Sequence, residues 1–151
     1  MRFIMRAFQC DEYRERRYRE ALTGMDVDGL AIDVGCGSGD SAIALQEHVA
    51  TDVIGFDLSR AMVKLARKRT GLRIYTADAA QLPLRNGSVA VLTCFAVLHE
   101  MPLAHSRAVL REFARVTRSG GRVLIWDQNP AKIGSLQHEM TNVPIEPYLL
   151  S

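Results

Sequence analysis

Polar residues suited to ligand binding follow three short apolar runs of this chain. The first group is Gly35-Cys36-Gly37-Ser38-Gly39, directly after the run Leu30–Val34. Glycines at alternate positions let the backbone turn sharply and approach a ligand with no Cβ in the way. A helix that follows such a turn directs free N–H groups at an anion. The spacing therefore indicates a ligand-binding turn, with an unliganded strand–helix turn as the alternative.

Two aspartates stand at equivalent places after the next two apolar runs. Asp57 ends the second run, and an acidic residue about 20 positions after such glycines can accept hydrogen bonds from ribose hydroxyls. Asp78 follows the third run, where its carboxylate can accept from an adenine amine while the N–H of Ala79 meets a ring nitrogen. The alternatives are a helix cap or an ion pair with Arg60 for Asp57, and a helix cap or a turn residue for Asp78.

Apolar runs and helical patterns alternate along the chain and must position these groups. We expect helix 61–68 to turn Met62, Leu65 and Ala66 inward. Strands that alternate with helices at this pitch predict an α/β fold, with a parallel sheet covered on both faces. The predicted strands are 30–34, 53–57, 72–76, 88–95 and 122–126, and the predicted helices are 41–49, 61–68 and 103–117.

Composition favours one globular domain. The chain has 151 residues, of which 48% are hydrophobic and 24% charged, and its net charge is +2. This charge is too balanced to indicate a nucleic-acid partner, and no apolar run reaches the ~18 residues of a membrane span. The cysteines, Cys10, Cys36 and Cys94, are odd in number and lack CxxC spacing. We expect a cytoplasmic protein with neither a disulfide framework nor a metal site.

The ends of the chain carry less information. The charged segment Asp11–Leu22 predicts a solvated amphipathic helix, with a lid or a basic contact surface as the alternative. We expect a single domain over 1–151, made of an N-terminal helical segment (1–27), a core (28–130) and a short C-terminal extension (131–151).

Roughly residues 28–130 resemble the class I S-adenosylmethionine-dependent methyltransferases, most closely the small-molecule branch that includes ubiquinone/menaquinone biosynthesis-type enzymes. AIDVGCGSGD is similar to the first motif of that family, VIGFDLSRAMVKLAR to the second, and YTADAAQLPLRNGSVAVLTCFAVLHEM to the third and fourth. LREFARVTRSGGRVLIWD is similar to its fifth strand and the helix before it. The resemblance implies a Rossmann-like three-layer sandwich of about five mostly parallel strands. It also implies methyl transfer from S-adenosylmethionine to a small-molecule acceptor, with S-adenosylhomocysteine as product.

The same resemblance implies a role for each matching residue. The glycine turn passes under the methionine part of the cofactor, and Asp33 holds its amino group through water. Asp57 binds the ribose, Asp78 and Ala79 bind the adenine, and the backbone of Cys94 and Phe95 lies beside the sulfonium. Leu58 and Met62 add apolar walls. The expected cofactor-binding residues are Asp33, Gly35, Cys36, Gly37, Ser38, Gly39, Asp57, Leu58, Met62, Asp78, Ala79, Cys94 and Phe95.

A catalytic base is needed only when the acceptor must lose a proton. His99 is the candidate, with a capping or packing role as the alternative; Glu100 is a second candidate, and His105 is expected on an exposed helix face. The resembled family often has an acidic residue where this chain has Ala90, and His-His where it has His99-Glu100. Both differences leave the acceptor side open.

The C-terminal region differs most from the resembled family, which normally continues with a helix and an antiparallel strand pair. Residues 128–151 show no clear strand pair. We therefore expect a shortened methyltransferase whose fifth-strand edge is covered by a homodimer or by residues 128–151. One alternative function is binding of S-adenosylmethionine without transfer, as a fragment or regulatory subunit. The other, a nicotinamide-dependent oxidoreductase, is disfavoured by the glycine spacing and by Asp78-Ala79.

Overall fold

A computed structural model describes residues 2–7, 16, 20, 27–49 and 51–127. In these residues six parallel strands form one sheet in the order β1-β6-β5-β2-β3-β4. The strands are β1 (Arg2–Ala7), β2 (Leu30–Val34), β3 (Val53–Asp57), β4 (Arg73–Thr76), β5 (Val89–Phe95) and β6 (Thr117–Asp127). The helices are α1 (Asp40–His48), α2 (Arg60–Thr70), a single 3₁₀ turn (Leu98–Glu100) and α3 (Leu103–Val116).

Helices cover both faces of the sheet, because successive strand side chains point to opposite faces. On one face α3 buries Val109, Leu110, Phe113 and Val116 against the sheet. On the other face the apolar sides of α1 and α2 pack against the alternate strand residues. The predicted Rossmann-like three-layer sandwich is confirmed, with six described strands in place of about five.

The inward face of α2 differs from the prediction. Met62 and Leu65 are 39% and 41% exposed, whereas Val63 and Ala66 are buried. The Ser59 hydroxyl caps the helix by accepting the N–H of Met62 at 3.3 Å. The buried residues are three apart, as expected for one helix face, and the small Ala66 allows α2 to pack closely on the glycine turn. The expectation that Met62 and Leu65 face inward is wrong, and that for Ala66 is correct.

Strand β1 corrects the expectation for the sheet edge. Residues Arg2–Ala7 pair in parallel with residues 122–127 of β6, which is the fifth strand of the sequence prediction. The edge of β6 is therefore paired with the N-terminal strand, and the expected homodimer stays a prediction. Residues 128–151 lie outside the described residues. So does the predicted helix Asp11–Leu22, except for Arg16 and Glu20, which are helical.

A half-buried ion pair on α3 holds the connection between β4 and β5. Glu112 accepts the backbone N–H of Leu82 at 2.7 Å and pairs with Arg115 at 2.6 Å. The Arg115 guanidinium also donates to the carbonyls of Leu82 and Leu84, at 3.1 and 2.9 Å. The hydrogen bond from Arg115 and the N–H of Leu82 hold the pKa of Glu112 below its usual value of 4.5, against the opposing effect of burial. This clamp positions the loop that carries Asp78.

Replacing Arg115 tests the clamp. Arg115→Ala removes charge-assisted bonds and leaves a nearly buried carboxylate, so we expect the free energy of unfolding at pH 7 to fall by about 1–3 kcal/mol. A depressed carboxyl pKa stabilises the folded state above about pH 4.5, and this contribution is lost as the pH falls through the folded-state pKa. The difference between wild type and variant should therefore shrink on acidification, as measured by urea unfolding at pH 7 and pH 4.

Arg111→Ala is the matched control, because Arg111 lies exposed on the same helix. It should change the unfolding free energy by less than about 0.5 kcal/mol. Equal losses for the two variants at pH 7 would contradict the clamp.

Candidate functional site

A cavity of about 440 Å³ lies at the carboxyl ends of β2, β3, β4 and β5. Ligands of open parallel sheets bind at this edge, and the volume is in the range of about 300–1,000 Å³ typical of small-molecule sites. Its lining residues are Val34, Gly35, Asp57, Leu58, Ala77, Asp78, Ala79, Ala96, Val97, Glu100, Met101 and His105.

The glycine turn forms one wall of this cavity. The N–H groups of Gly35 and Cys36 both donate to the Phe56 carbonyl, at 2.7 and 3.1 Å, and so join the turn to β3. Gly35 has φ +73°, and a Cβ placed there would lie 2.2 Å from Cγ2 of Val97. Gly37 has φ +50°, but a Cβ there would meet nothing within 4 Å. Gly35 is therefore required by both conformation and space, and so is Gly39, which has φ +93° and where a Cβ would lie 2.6 Å from Cγ2 of Thr70.

Asp57 links the glycine turn to the start of α2. Its Oδ2 accepts the Gly37 N–H and its Oδ1 accepts the Ser59 N–H, both at 2.8 Å. Ser59 itself provides the side-chain cap of α2. The carboxylate is thus oriented by backbone donors while it lines the cavity.

Asp78 and Ala79 lie on the opposite wall, in a tight turn. Oδ1 of Asp78 accepts the Ala80 N–H at 2.8 Å, and its carbonyl accepts the Gln81 N–H at 2.9 Å. Asp78 therefore does act as a turn residue, as the alternative had it. It nevertheless lines the cavity, where His105 of α3 faces it with Nε2 3.5 Å from Oδ1.

Asp33 lies beneath the cavity and does not line it. The carboxylate is fully buried, with Oδ2 accepting the Ser41 hydroxyl at 2.5 Å and Oδ1 accepting the Thr93 hydroxyl at 2.7 Å. These bonds join β2 to α1 and β5. In this arrangement Asp33 supports the glycine turn from below.

The two described cysteines are buried free thiols. Burial, followed by the nearby Asp33 and Asp57, raises the pKa of Cys36 to about 12. Burial also raises the pKa of Cys94, with contributions from Asp33 and Asp127. Because the thiolate is the nucleophilic form, burial and the raised pKa of each thiol disfavour a nucleophilic role for both side chains.

The chain reaches the cavity just after β5, two residues later than expected. Cys94 is fully buried and Phe95 stacks on Trp126 with ring centroids 5.6 Å apart, and neither lines the cavity. Ala96 and Val97 do. Ala96 has φ +55°, a conformation that non-glycine residues adopt uncommonly, and its N–H donates to the Trp126 carbonyl at 2.7 Å.

His99 contacts the end of β6, away from the cavity lining. Its backbone N–H donates to Oδ2 of the buried Asp127 at 3.0 Å. Nδ1 lies 2.9 Å from Oδ1 of the same carboxylate, but the ring N–H is not aligned for a hydrogen bond. Glu100 lines the cavity instead, with its side chain 75% exposed. The catalytic role of His99 stays a prediction.

The structure brings some of the predicted residues to the cavity and keeps others behind it. Gly35, Asp57, Leu58, Asp78 and Ala79 line it. The predicted residues outside the lining are Asp33, Cys36, Gly37, Ser38, Gly39, Met62, Cys94, Phe95 and His99.

Sequence reasoning did not assign to the cavity the residues that follow β5. Val97, Met101 and His105 line it together with Ala96. A histidine two residues into a predicted helix is a weak signal by itself. Its position became evident only when the 3₁₀ turn placed α3 beside Asp78. Across the described residues no group of three or more histidines, cysteines or acids is arranged to hold a metal ion, and no helix there could cross a membrane.

Comparison with known proteins identifies relatives of this chain. Residues 31–121 match the family described as "Methyltransferase domain". The chain is 32% identical over 108 residues to the tRNA (carboxymethyluridine(34)-5-O)-methyltransferase ALKBH8 of Macaca fascicularis, covering 71% of this chain and 16% of that protein. It is 32% identical over 116 residues to the demethylmenaquinone methyltransferase of Shouchella clausii, covering 70% of this chain and 48% of that protein.

A solved structure shares the fold. Geranyl diphosphate C-methyltransferase from Streptomyces coelicolor A3(2), in complex with Mg²⁺, geranyl diphosphate and S-adenosyl-L-homocysteine, superposes with a TM-score of 0.66 at 20% identity. The match covers 76% of this chain and 45% of that one. The chain thus spans less than half the length of each of these relatives.

A pair of glycine substitutions tests the geometry of the turn. Gly35→Ala and Gly37→Ala both place a Cβ in the left-handed region, at a cost of about 1–2 kcal/mol. Gly35→Ala also collides with Val97, and such overpacking adds about 1–3 kcal/mol. Urea unfolding should therefore rank Gly35→Ala as the less stable variant. Equal stability of the two would contradict the close contact between Gly35 and Val97.

Proposed function

The chain belongs to the methyltransferase domain family, and from this we propose that it binds S-adenosylmethionine and transfers its methyl group to a small-molecule acceptor. The observation that carries the proposal is the cavity, in which Gly35, Asp57 and Asp78 meet at the carboxyl ends of three adjacent strands. These residues belong to the three segments that resemble the cofactor motifs of the family.

The residues present fit this cofactor. The turn at Gly35 is a backbone surface that a Cβ would fill. Asp57 is held by two backbone N–H groups, so its carboxylate can accept ribose hydroxyls with little further ordering. Asp78 and Ala79 face the cavity beside the exposed Leu58, where an adenine ring would find both polar and apolar partners. Asp33, Ser38, Met62 and the remaining predicted residues would act from behind this surface.

Bound S-adenosylmethionine supplies an electrophilic methyl group on a sulfonium. The task of the chain is then to align an acceptor with that methyl and to exclude water. Val34, Val97 and Met101 provide an apolar lining for this purpose. Where the acceptor must lose a proton, Glu100 lines the cavity and is our first candidate to take it, ahead of His99 beside Asp127.

Two observations bear on the acceptor. The match to demethylmenaquinone methyltransferase spans 48% of that protein and supports a small molecule. A tRNA acceptor is the second candidate, favoured by the ALKBH8 match. Helix α2 supports it as well, because Arg60, Lys64 and Lys68 recur every four residues on one exposed side and α2 contains no acidic residue. Binding of S-adenosylmethionine without methyl transfer remains the alternative to an enzymatic function.

The free thiols Cys36 and Cys94 support a reducing, cytoplasmic setting.

Calorimetry with S-adenosylhomocysteine tests cofactor binding. Asp57→Ala removes a charged acceptor for the ribose hydroxyls, so we expect the affinity to fall about 10- to 100-fold. Asp52→Ala is the matched control, because Asp52 immediately precedes the same strand but is 84% exposed and pairs with Arg73 outside the cavity. The proposal fails when folded wild-type protein shows no heat with the ligand. It also fails when Asp57→Ala and Asp52→Ala bind equally well.

A transfer assay with methyl-labelled S-adenosylmethionine distinguishes the candidate functions. Wild-type chain with methyl-labelled S-adenosylmethionine should label a member of a panel of small phenols, quinols and amines, and Glu100→Gln should slow that reaction. Label on unfractionated tRNA alone would favour the second acceptor. Cofactor binding without label on any of them would favour the binding protein.

A further inference from the structure

His105 and Asp78 face each other at the mouth of the cavity without forming a hydrogen bond to one another. Nε2 of His105 lies 3.5 Å from Oδ1 of Asp78, beyond the about 2.7–3.2 Å of N–H···O hydrogen bonds. Both side chains are 42% exposed and both line the cavity. A donor and an acceptor thus stand side by side, open to a third group.

Each of the two is held by its own element. Asp78 is fixed by the N–H groups of Ala80 and Gln81. His105 is in the first turn of α3, where the buried Ser106 hydroxyl contacts the carbonyls of Leu98 and Pro102, both at 3.3 Å. The Asp78 carboxylate and the backbone that carries His105 are therefore fixed before any ligand enters, which lowers the entropic cost of binding.

We infer that His105 and Asp78 together read one edge of the adenine, with Asp78 accepting from the exocyclic amine and His105 donating to the neighbouring ring nitrogen N7. This inference rests on the proposed function and adds a specificity-determining residue to it. Adenine presents an amine donor and the N7 acceptor next to each other, and paired side-chain groups recognise this edge.

The proton of His105 belongs on the nitrogen that faces the carboxylate. Neutral imidazole carries one N–H, and a carboxylate oxygen 3.5 Å away favours the form with hydrogen on Nε2. Because the two side chains are too far apart for a hydrogen bond, that hydrogen stays available to N7 of an adenine bound at the cavity mouth. Leu58, Ala77 and Met101 line the same region and supply contacts for the faces of the ring.

Calorimetry with two matched ligands tests the inference. S-adenosylhomocysteine and its 7-deaza analogue differ only by a C–H group in place of N7. Loss of one hydrogen bond predicts that wild type binds the 7-deaza ligand about 3- to 10-fold more weakly. His105→Ala should bind S-adenosylhomocysteine more weakly by a similar factor and should no longer distinguish the two ligands. Arg111→Ala, on the exposed side of α3, should keep the wild-type discrimination.

The outcomes separate the inference from the function it rests on. Equal affinity of wild type for the two ligands overturns the role of His105 and leaves cofactor binding intact. Discrimination that persists in His105→Ala overturns it as well. Absence of binding to either ligand by folded wild type overturns both. Should His105→Ala fail to fold, His105→Phe, which keeps a ring of similar size but has no N–H donor, takes its place in the same comparison.

Discussion

The buried carboxylate of Asp33 is the constraint on which the site depends. A charge without solvent contact is costly unless hydrogen bonds compensate it, and Ser41 and Thr93 supply those bonds. The two hydroxyls come from α1 and β5, so satisfying one charge joins these two elements to β2. The glycine turn begins immediately after this strand. Its position at the cavity therefore follows from a polar interaction inside the core and not from contact with a ligand.

The shape of the cavity is set by the parallel strands, whose carboxyl ends meet at one edge of the sheet. Backbone bonds from Gly35 and Cys36 to the Phe56 carbonyl tie two of these ends together. On the far side the Glu112–Arg115 pair draws the β4–β5 loop onto α3. The same helix carries both the clamp and His105. Opposite walls of the cavity are thus held by separate networks, which leaves the space between them open.

Hydrophobic periodicity and the residues that end helices and strands predicted most of the elements. Apolar runs predicted the five strands of the core, and the helix predicted over 103–117 matches α3, whose Val109, Leu110, Phe113 and Val116 are buried. Local pattern failed where neighbours decide burial, as for Met62 and Leu65, since α2 packs through its smaller residues. It also failed for β1, because six residues at the N-terminus become a strand only when the edge of β6 is available for pairing.

The order of strands, glycines and acids along the chain was sufficient to predict the α/β class, the edge that bears the site, and Gly35, Asp57 and Asp78 as residues of that edge. These features depend on the spacing of residues that are close together in the sequence. Tertiary structure alone decided that Asp33 lies beneath the cavity, that Val97 fills the space against Gly35, and that His105 faces Asp78. Each of these joins residues far apart in sequence, and their meeting depends on how the sheet and α3 pack.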